Sequence, residues 1–167
     1  MSRLGFLFLR FLSRRPVAAP NRVGRIPCTR FMAIRVLIAD DDISIRRLLR
    51  RLIESHDDWS VCGDAQDGNE AVRKATQLSP DVIVLDLAMP EMNGLQAARE
   101  ISRNAPELPM LLLTVQQVSN ELNSEAAHAG FKGAVSKSTG SEVIKAIEVL
   151  LKRQKFFHPL PVEASAW

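Results

Sequence analysis

The chain has 167 residues, 46% of them apolar and 25% charged, which suits one soluble domain with extensions and leaves ample material for a core. Its net charge of +3 is unevenly placed: residues 1–33 hold seven arginines and no acid, which leaves 15 basic against 19 acidic groups, a net −4, over residues 34–167. The basic excess therefore gives no case for nucleic-acid binding by the folded part, and two cysteines, Cys28 and Cys62, exclude a disulfide framework.

The opening segment, MSRLGFLFLRFLSRR, sets arginines around a short apolar run broken by Arg10. The run is too short to span a membrane, and serine is sparse for a transit peptide. Residues 1–33 read as a disordered basic extension, or as a start placed too early, with Met32 a natural beginning just ahead of the first strand.

Ile34 to Ala39 (IRVLIA) is a buried-strand pattern, followed at once by Asp40, Asp41 and Asp42. In ISIRRLLRRLIESH the apolar residues Ile45, Leu48, Leu49, Leu52 and Ile53 predict one helical face. Arg46, Arg47, Arg50 and Arg51 fall on the solvated side, and Asp41 or Asp42 serves as N-cap. Trp59 to Asp64 is a weaker strand in which Cys62 reads as a small core residue. Asp67-Gly68-Asn69 turns into a helix over Glu70–Leu78 that buries Ala71, Val72, Ala75 and Leu78.

Val82 to Leu85, rich in β-branched residues, suits a strand buried on both faces. It exits on Asp86, into a loop stiffened by Pro90 and relaxed by Gly94. A helix follows from about Gly94 to Asn104, with Leu95, Ala98 and Ile101 inward. Met110 to Leu113 is a fourth strand ending on Thr114, and residues 119–129 form a poorly patterned helix stopped by Gly130. Lys132 to Ser136 is a short fifth strand ending on Lys137. The last helix runs from about Gly140 to Arg153 and buries Val143, Ile144, Ile147, Leu150 and Leu151. Residues 154–167 form a short tail whose Phe156 and Phe157 are expected to cover an end of the sheet. This alternation predicts an α/β domain with a parallel sheet and helices on both faces.

In a doubly wound sheet the strand exits share one edge, and ligands sit where the strand order reverses. With order 2-1-3-4-5, Asp40 and Asp41 after the first strand meet Asp86 after the third, with Thr114 and Lys137 on the neighbouring strands. Three carboxylates so close cannot all ionise cheaply. A divalent cation resolves the repulsion, and oxygen-only ligands with open positions suit Mg²⁺. Lys137 can pair with a carboxylate or a phosphoryl oxygen as a point charge. A nucleophilic carboxylate, a metal, a cation and a hydroxyl together suit phosphoryl transfer to an aspartate. His56, His128 and His158 show no metal-ligand spacing.

VLIADDD, DVIVLDLAMPEMNG, LLLTV and VSK, in that order, resemble the receiver domain of bacterial two-component response regulators over about residues 34–153. The strand order, that of a flavodoxin-like (βα)5 sandwich, is the family's own and is carried over from this resemblance. The resemblance implies that Asp86 is the phospho-acceptor and Asp41 a direct Mg²⁺ ligand. It implies that Asp40 acts largely through water, and that the backbone carbonyl of Ala88 completes the protein's share. Thr114 and Lys137 would stabilise the phosphoryl group. RVLIADDD and LLKRQKFFHP look most like the NarL (LuxR-like) type, which usually carries a C-terminal helix-turn-helix; this chain is expected to stop before one. There are two departures. Ala134 stands where the family often has an aromatic coupled to the Thr, and Ser138 stands where proline is frequent.

The role implied is that of a cytoplasmic phospho-acceptor module in a phosphorelay. It would take its phosphoryl group from a sensor histidine kinase or a histidine phosphotransfer protein and signal through a protein partner. No nucleic-acid or membrane contact, and no turnover activity beyond self-phosphorylation and self-dephosphorylation, is expected. One rival is a degenerate receiver that serves as a phosphorylation-independent binding surface, with Ala134 in its favour. Another is a Mg²⁺-dependent phosphohydrolase, for which no residues remain to build a substrate-selecting cap.

Overall fold

The computed structural model describes residues 33–157. The expectations for residues 1–32 and 158–167, Cys28 and His158 among them, lie outside that range. Five β–α units follow one another: β1 Ile34–Ala39, α1 Ile43–Glu54, β2 Trp59–Ala65, α2 Gly68–Leu78, β3 Val82–Asp86, α3 Gly94–Asn104, β4 Met110–Thr114, α4 Asn120–Ala129, β5 Gly133–Ser136 and α5 Glu142–Leu151. The strands form one parallel sheet in the order β2-β1-β3-β4-β5, so the order reverses between β1 and β3. This is the expected doubly wound architecture.

Side chains alternate across the sheet, and each face carries its own core. Leu37, Ala39, Ile83, Leu85, Leu112 and Ala134 face one cluster with residues of α2, α3 and α4. Val36, Ile38, Val84, Leu111, Leu113 and Val135 face the other, with Leu49 and Ile53 of α1 and Val143, Ile147 and Leu150 of α5. β3 sits between the two clusters and is buried along its whole length. That is why it lacks a polar alternation and reads as a continuous apolar run. No helix among the described residues is long and apolar enough to cross a membrane.

Helix α1 departs from the expected face. Leu48 is 61% exposed, while Leu49 and Ile53 are buried. At 3.6 residues per turn the buried stripe centres between Leu49 and Ile53; Leu48 lies about 120° from that centre and Arg46 only about 40° from it. The predicted face was therefore rotated too far towards Leu48, and Arg46 is not on the solvated side. Cys62 is half-buried rather than core, with its thiol 3.4 Å from the Val36 carbonyl.

The tail begins by closing the sheet edge. Phe156 bridges to Gly133 in parallel, taking a bond from its own N–H to Lys132 O at 2.7 Å and receiving one from Ala134 N at 2.9 Å. Phe156 packs on one core cluster and Phe157 on the other, so the pair straddles the edge strand.

Candidate phospho-acceptor site

The three consecutive aspartates divide their work. Asp40 is wholly buried: its N–H bonds to Ala65 O at 3.1 Å, and its Oδ1 accepts the Asp42 N–H at 2.9 Å. Asp42 is the N-cap of α1, with Oδ1 accepting from Ser44 N at 2.7 Å. Asp41, between them, is exposed.

Asp86 is the last residue of β3 and is 3% exposed. The loop after it is tied back by Leu87 N to Leu113 O and by Gly94 N to Leu87 O, each at 3.0 Å. Gly94 is needed there for space, since a Cβ would run into the carbonyl of Asp86. The left-handed turn of this loop falls on Glu91, at φ 61°, and not on Gly94, which is a correction to the relaxing role expected of the glycine. Asn93 and Gln96 then close a capping box at the start of α3.

Lys137 follows β5 in a short 3-10 turn and reaches across the strand exits. Its Nζ lies 2.7 Å from Asp40 Oδ2 and 3.0 Å from Asp86 Oδ1, with the side chain 14% exposed. Among the described residues, Oδ2 of Asp40 accepts no directed hydrogen bond beyond this ion pair. Burial pushes the Asp86 carboxyl above the usual aspartate range; Lys137 pulls it back and Asp40 adds to the rise. For Lys137, burial disfavours the charge, but its contacts with Asp40 and Asp86 win and lift the ammonium above the ordinary lysine value. Thr114, 1% exposed, turns its hydroxyl to accept from Gln116 N at 3.0 Å. That leaves the hydroxyl proton available for a ligand oxygen.

Ligand oxygens of Asp40, Asp41 and Asp86 all lie within 4.8 Å of one another. Three carboxylates against the one ammonium of Lys137 leave a negative surplus on oxygen donors, and Asp41 opens the group to solvent. These residues fit a hard divalent cation. Ala88, whose carbonyl the resemblance adds to the set, is exposed two residues beyond Asp86. Ala134 is wholly buried opposite Leu112. Ser138, at the position where proline is frequent, uses its N–H on Ser136 Oγ at 3.3 Å, a bond proline could not make.

Two residues of this region were missed in the sequence. Arg46 Nη1 donates to Asp40 O at 2.7 Å and to Asp41 O at 3.1 Å, and its Nε pairs with Asp64 Oδ2 at 3.1 Å. Asp64 also holds Arg50 at 3.0 Å, and its carbonyl accepts from Lys74 Nζ. The angular position of Arg46 on α1 was the available signal. Trp59 opens β2 at the end of the sheet opposite the strand exits.

The model of the response regulator receiver domain matches residues 36–148. The transcriptional regulatory protein YdfI of Bacillus subtilis (strain 168) is 40% identical over 110 residues, covering 66% of this chain and 51% of that protein. The crystal structure of a two-component response regulator of the LuxR family from Aurantimonas sp. SI85-9A1 aligns with TM-score 0.71 at 32% identity, covering 75% of this chain and 89% of that one. The response regulator domain of Thermotoga maritima CheB aligns with TM-score 0.62 at 34% identity, covering 72% and 92%. This chain spans about half the length of YdfI.

Proposed function

The chain belongs to the response regulator receiver domain family, a receiver module of two-component signal transduction, and on that premise we propose that Asp86 is its phospho-acceptor. The donor is a phosphohistidine on a sensor kinase or a phosphotransfer protein. A carboxylate oxygen of Asp86 attacks phosphorus, the P–N bond breaks, the imidazole leaves with the electron pair, and an acyl phosphate forms. The observation that carries this reading is the buried carboxylate of Asp86 at the strand-order reversal, 3.0 Å from the ammonium of Lys137.

Asp40, Asp41, Asp86 and the Ala88 carbonyl would hold Mg²⁺, which would neutralise charge on the carboxylates and the phosphoryl oxygens. Lys137 holds its proton and offers a fixed positive charge to a phosphoryl oxygen. The Thr114 hydroxyl donates to another. The buried side of the site limits water at the acyl phosphate. The protein acts as an acceptor and not as a turnover enzyme, and it signals in the cytoplasm through a protein partner. Residues 34–153 carry all of this, and a chain begun at Met32 should accept phosphoryl as well as the full chain.

Intact mass after treatment with acetyl phosphate and Mg²⁺ tests the reading. Wild type should gain one phosphoryl group and Asp86→Ala none; equal labelling of the variant overturns the assignment. A second reading, a binding surface indifferent to phosphorylation, draws on Ala134, where the family often has an aromatic. It predicts that partner capture is the same for wild type and Asp86→Ala.

A further inference from the structure

Arg46 is out of place by ordinary helix rules. It sits one turn into α1, where the helix dipole disfavours a cation, and no acidic residue in the first turn offsets it. It is also hardly solvated, its side chain being 13% exposed. An arginine kept in such a position is held there by what it contacts.

Those contacts converge on the loop that presents the aspartates. Nη1 takes the carbonyls of Asp40 and Asp41 at 2.7 and 3.1 Å, so both peptide units that follow the carboxylate-bearing residues are fixed by one nitrogen. Nε is held by Asp64 from β2 at 3.1 Å, and Asp64 is itself held by Arg50 at 3.0 Å. The pairing with Asp64 offsets the guanidinium charge beside the site. Asp40 has further anchors of its own, namely Lys137 on Oδ2 and the Asp42 amide on Oδ1. Asp41 has none: among the described residues no hydrogen bond or ion pair holds its carboxylate, although a ligand oxygen on it lies within 4.8 Å of those on Asp40 and Asp86. The backbone therefore sets where the Asp41 side chain leaves the loop, and hence which rotamers bring its carboxylate to the site, and that backbone is pinned by Arg46.

We propose that Arg46 is a positioning residue for the cation site: by holding the carbonyls of Asp40 and Asp41 it fixes the backbone from which the otherwise unheld carboxylate of Asp41 reaches toward Asp86. This rests on the acceptor-site reading above. A purely electrostatic role predicts the opposite sign, because a nearby positive charge repels a cation and its removal would tighten binding.

The test is Mg²⁺ titration of the full chain without any phosphoryl donor, followed by amide chemical shifts, for wild type, Arg46→Gln, Arg46→Lys and Arg47→Gln. Arg46→Gln should raise the Mg²⁺ Kd roughly tenfold, the scale seen when partners that orient metal ligands are removed. Arg46→Lys should weaken it too, since one ammonium cannot reproduce the planar fork. Arg47→Gln, exposed on the same helix, should match wild type. Without metal, exchange of the Asp42 amide, bonded to Asp40 Oδ1 at 2.9 Å, should quicken in both Arg46 variants. Should Arg46→Gln fail to fold, Arg46→Lys carries the test. Tighter Mg²⁺ binding in Arg46→Gln, or wild-type affinity in both Arg46 variants, overturns this proposal alone. A wild type that binds no Mg²⁺ overturns the acceptor-site reading and this proposal with it.

Discussion

Nζ of Lys137 lies 3.0 Å from Oδ1 of Asp86, and the pair is nearly closed to solvent. The same ammonium reaches Asp40 at 2.7 Å, so one cation serves two buried carboxylates. Removing Lys137 leaves two buried carboxylates without their cation, which is more costly than the pairing itself is stabilising.

The pH dependence of Lys137 follows from its raised folded value. Its stabilising contribution is fully present below the ordinary lysine value of 10.5 and is lost as pH rises through the higher folded value. The stability gap between wild type and Lys137→Met should stay level from neutral pH up to that ordinary value and close above it. Urea melts of both proteins across the alkaline range check this; a gap that closes well below pH 10 would show that another group is responsible.

Asp86 has the opposite consequence near neutral pH. Its carboxyl is pushed up mainly by burial, so its favourable contribution is fully present below the ordinary value of 3.8 and is lost as pH rises through the folded value. The ionised form therefore costs stability where the protein works. Asp86→Asn, which keeps an oxygen for Lys137, should melt at a higher temperature near neutral pH. The difference should vanish in acid, where both proteins are neutral at this position. Calorimetry at the two pH values measures it, and a lower melting temperature for Asp86→Asn at neutral pH would contradict the account.

Asp40 and Asp41 should separate stability from metal binding. Asp41→Ala removes an exposed carboxylate with no partner among the described residues, so Mg²⁺ affinity should fall by roughly tenfold or more while the melting temperature barely moves. Asp40→Ala strips a buried acceptor from the Asp42 amide and a partner from Lys137. It should cost about 2 kcal/mol, in the range for hydrogen bonds to charged groups. Equal melting temperatures for the two variants would remove this division of labour.

Much of this arrangement was legible in the sequence because strand exits are marked by a change from apolar to polar residues. IRVLIA into Asp40, VIVLD ending on Asp86, and MLLLT ending on Thr114 each announce both the strand and its polar exit. Strand order and the role of each residue came from the family resemblance, because residue spacing carries no information about which strands are neighbours. What escaped was angular. Leu48 is exposed and Arg46 largely covered because residue type alone does not fix where a helix face is centred. The role of Gly94 was also misread, since a glycine needed for close approach looks in sequence like one needed for a left-handed turn.

Gly133 offers a test of the sheet edge. A Cβ there would lie 2.5 Å from the Phe156 carbonyl and 3.0 Å from its Cβ. Gly133→Ala should therefore break the bridge that Phe156 makes to β5. The expected loss is roughly 1–3 kcal/mol, the usual cost of overpacking, together with faster exchange of the Ala134 amide, which bonds to Phe156 O at 2.9 Å. An unchanged exchange rate would mean that the tail adjusts without leaving the edge.

The last prediction concerns Ala134. In the family an aromatic ring at this position follows the Thr when the phosphoryl group draws it in. Here the position carries a methyl, wholly buried opposite Leu112 and in the same cluster as Phe131, Ala126 and Ala129. A methyl has little leverage on α4 and the β5 edge. Thr114 and Lys137 can still close on a phosphoryl group through charge-assisted bonds, but the element they would bias is small. Beryllofluoride with Mg²⁺ should therefore shift wild-type amides next to Asp86, Thr114 and Lys137 and leave residues 115–136 largely in place. Ala134→Tyr cannot seat its ring in the closed cluster without overpacking, which should lower stability by roughly 1–3 kcal/mol. Movement of Thr114 toward the site would open room behind it, so the variant should show the larger amide shifts across residues 115–136. Large shifts there in wild type, equal in size to those of Ala134→Tyr, would mean that the domain switches through some other element than the ring it lacks.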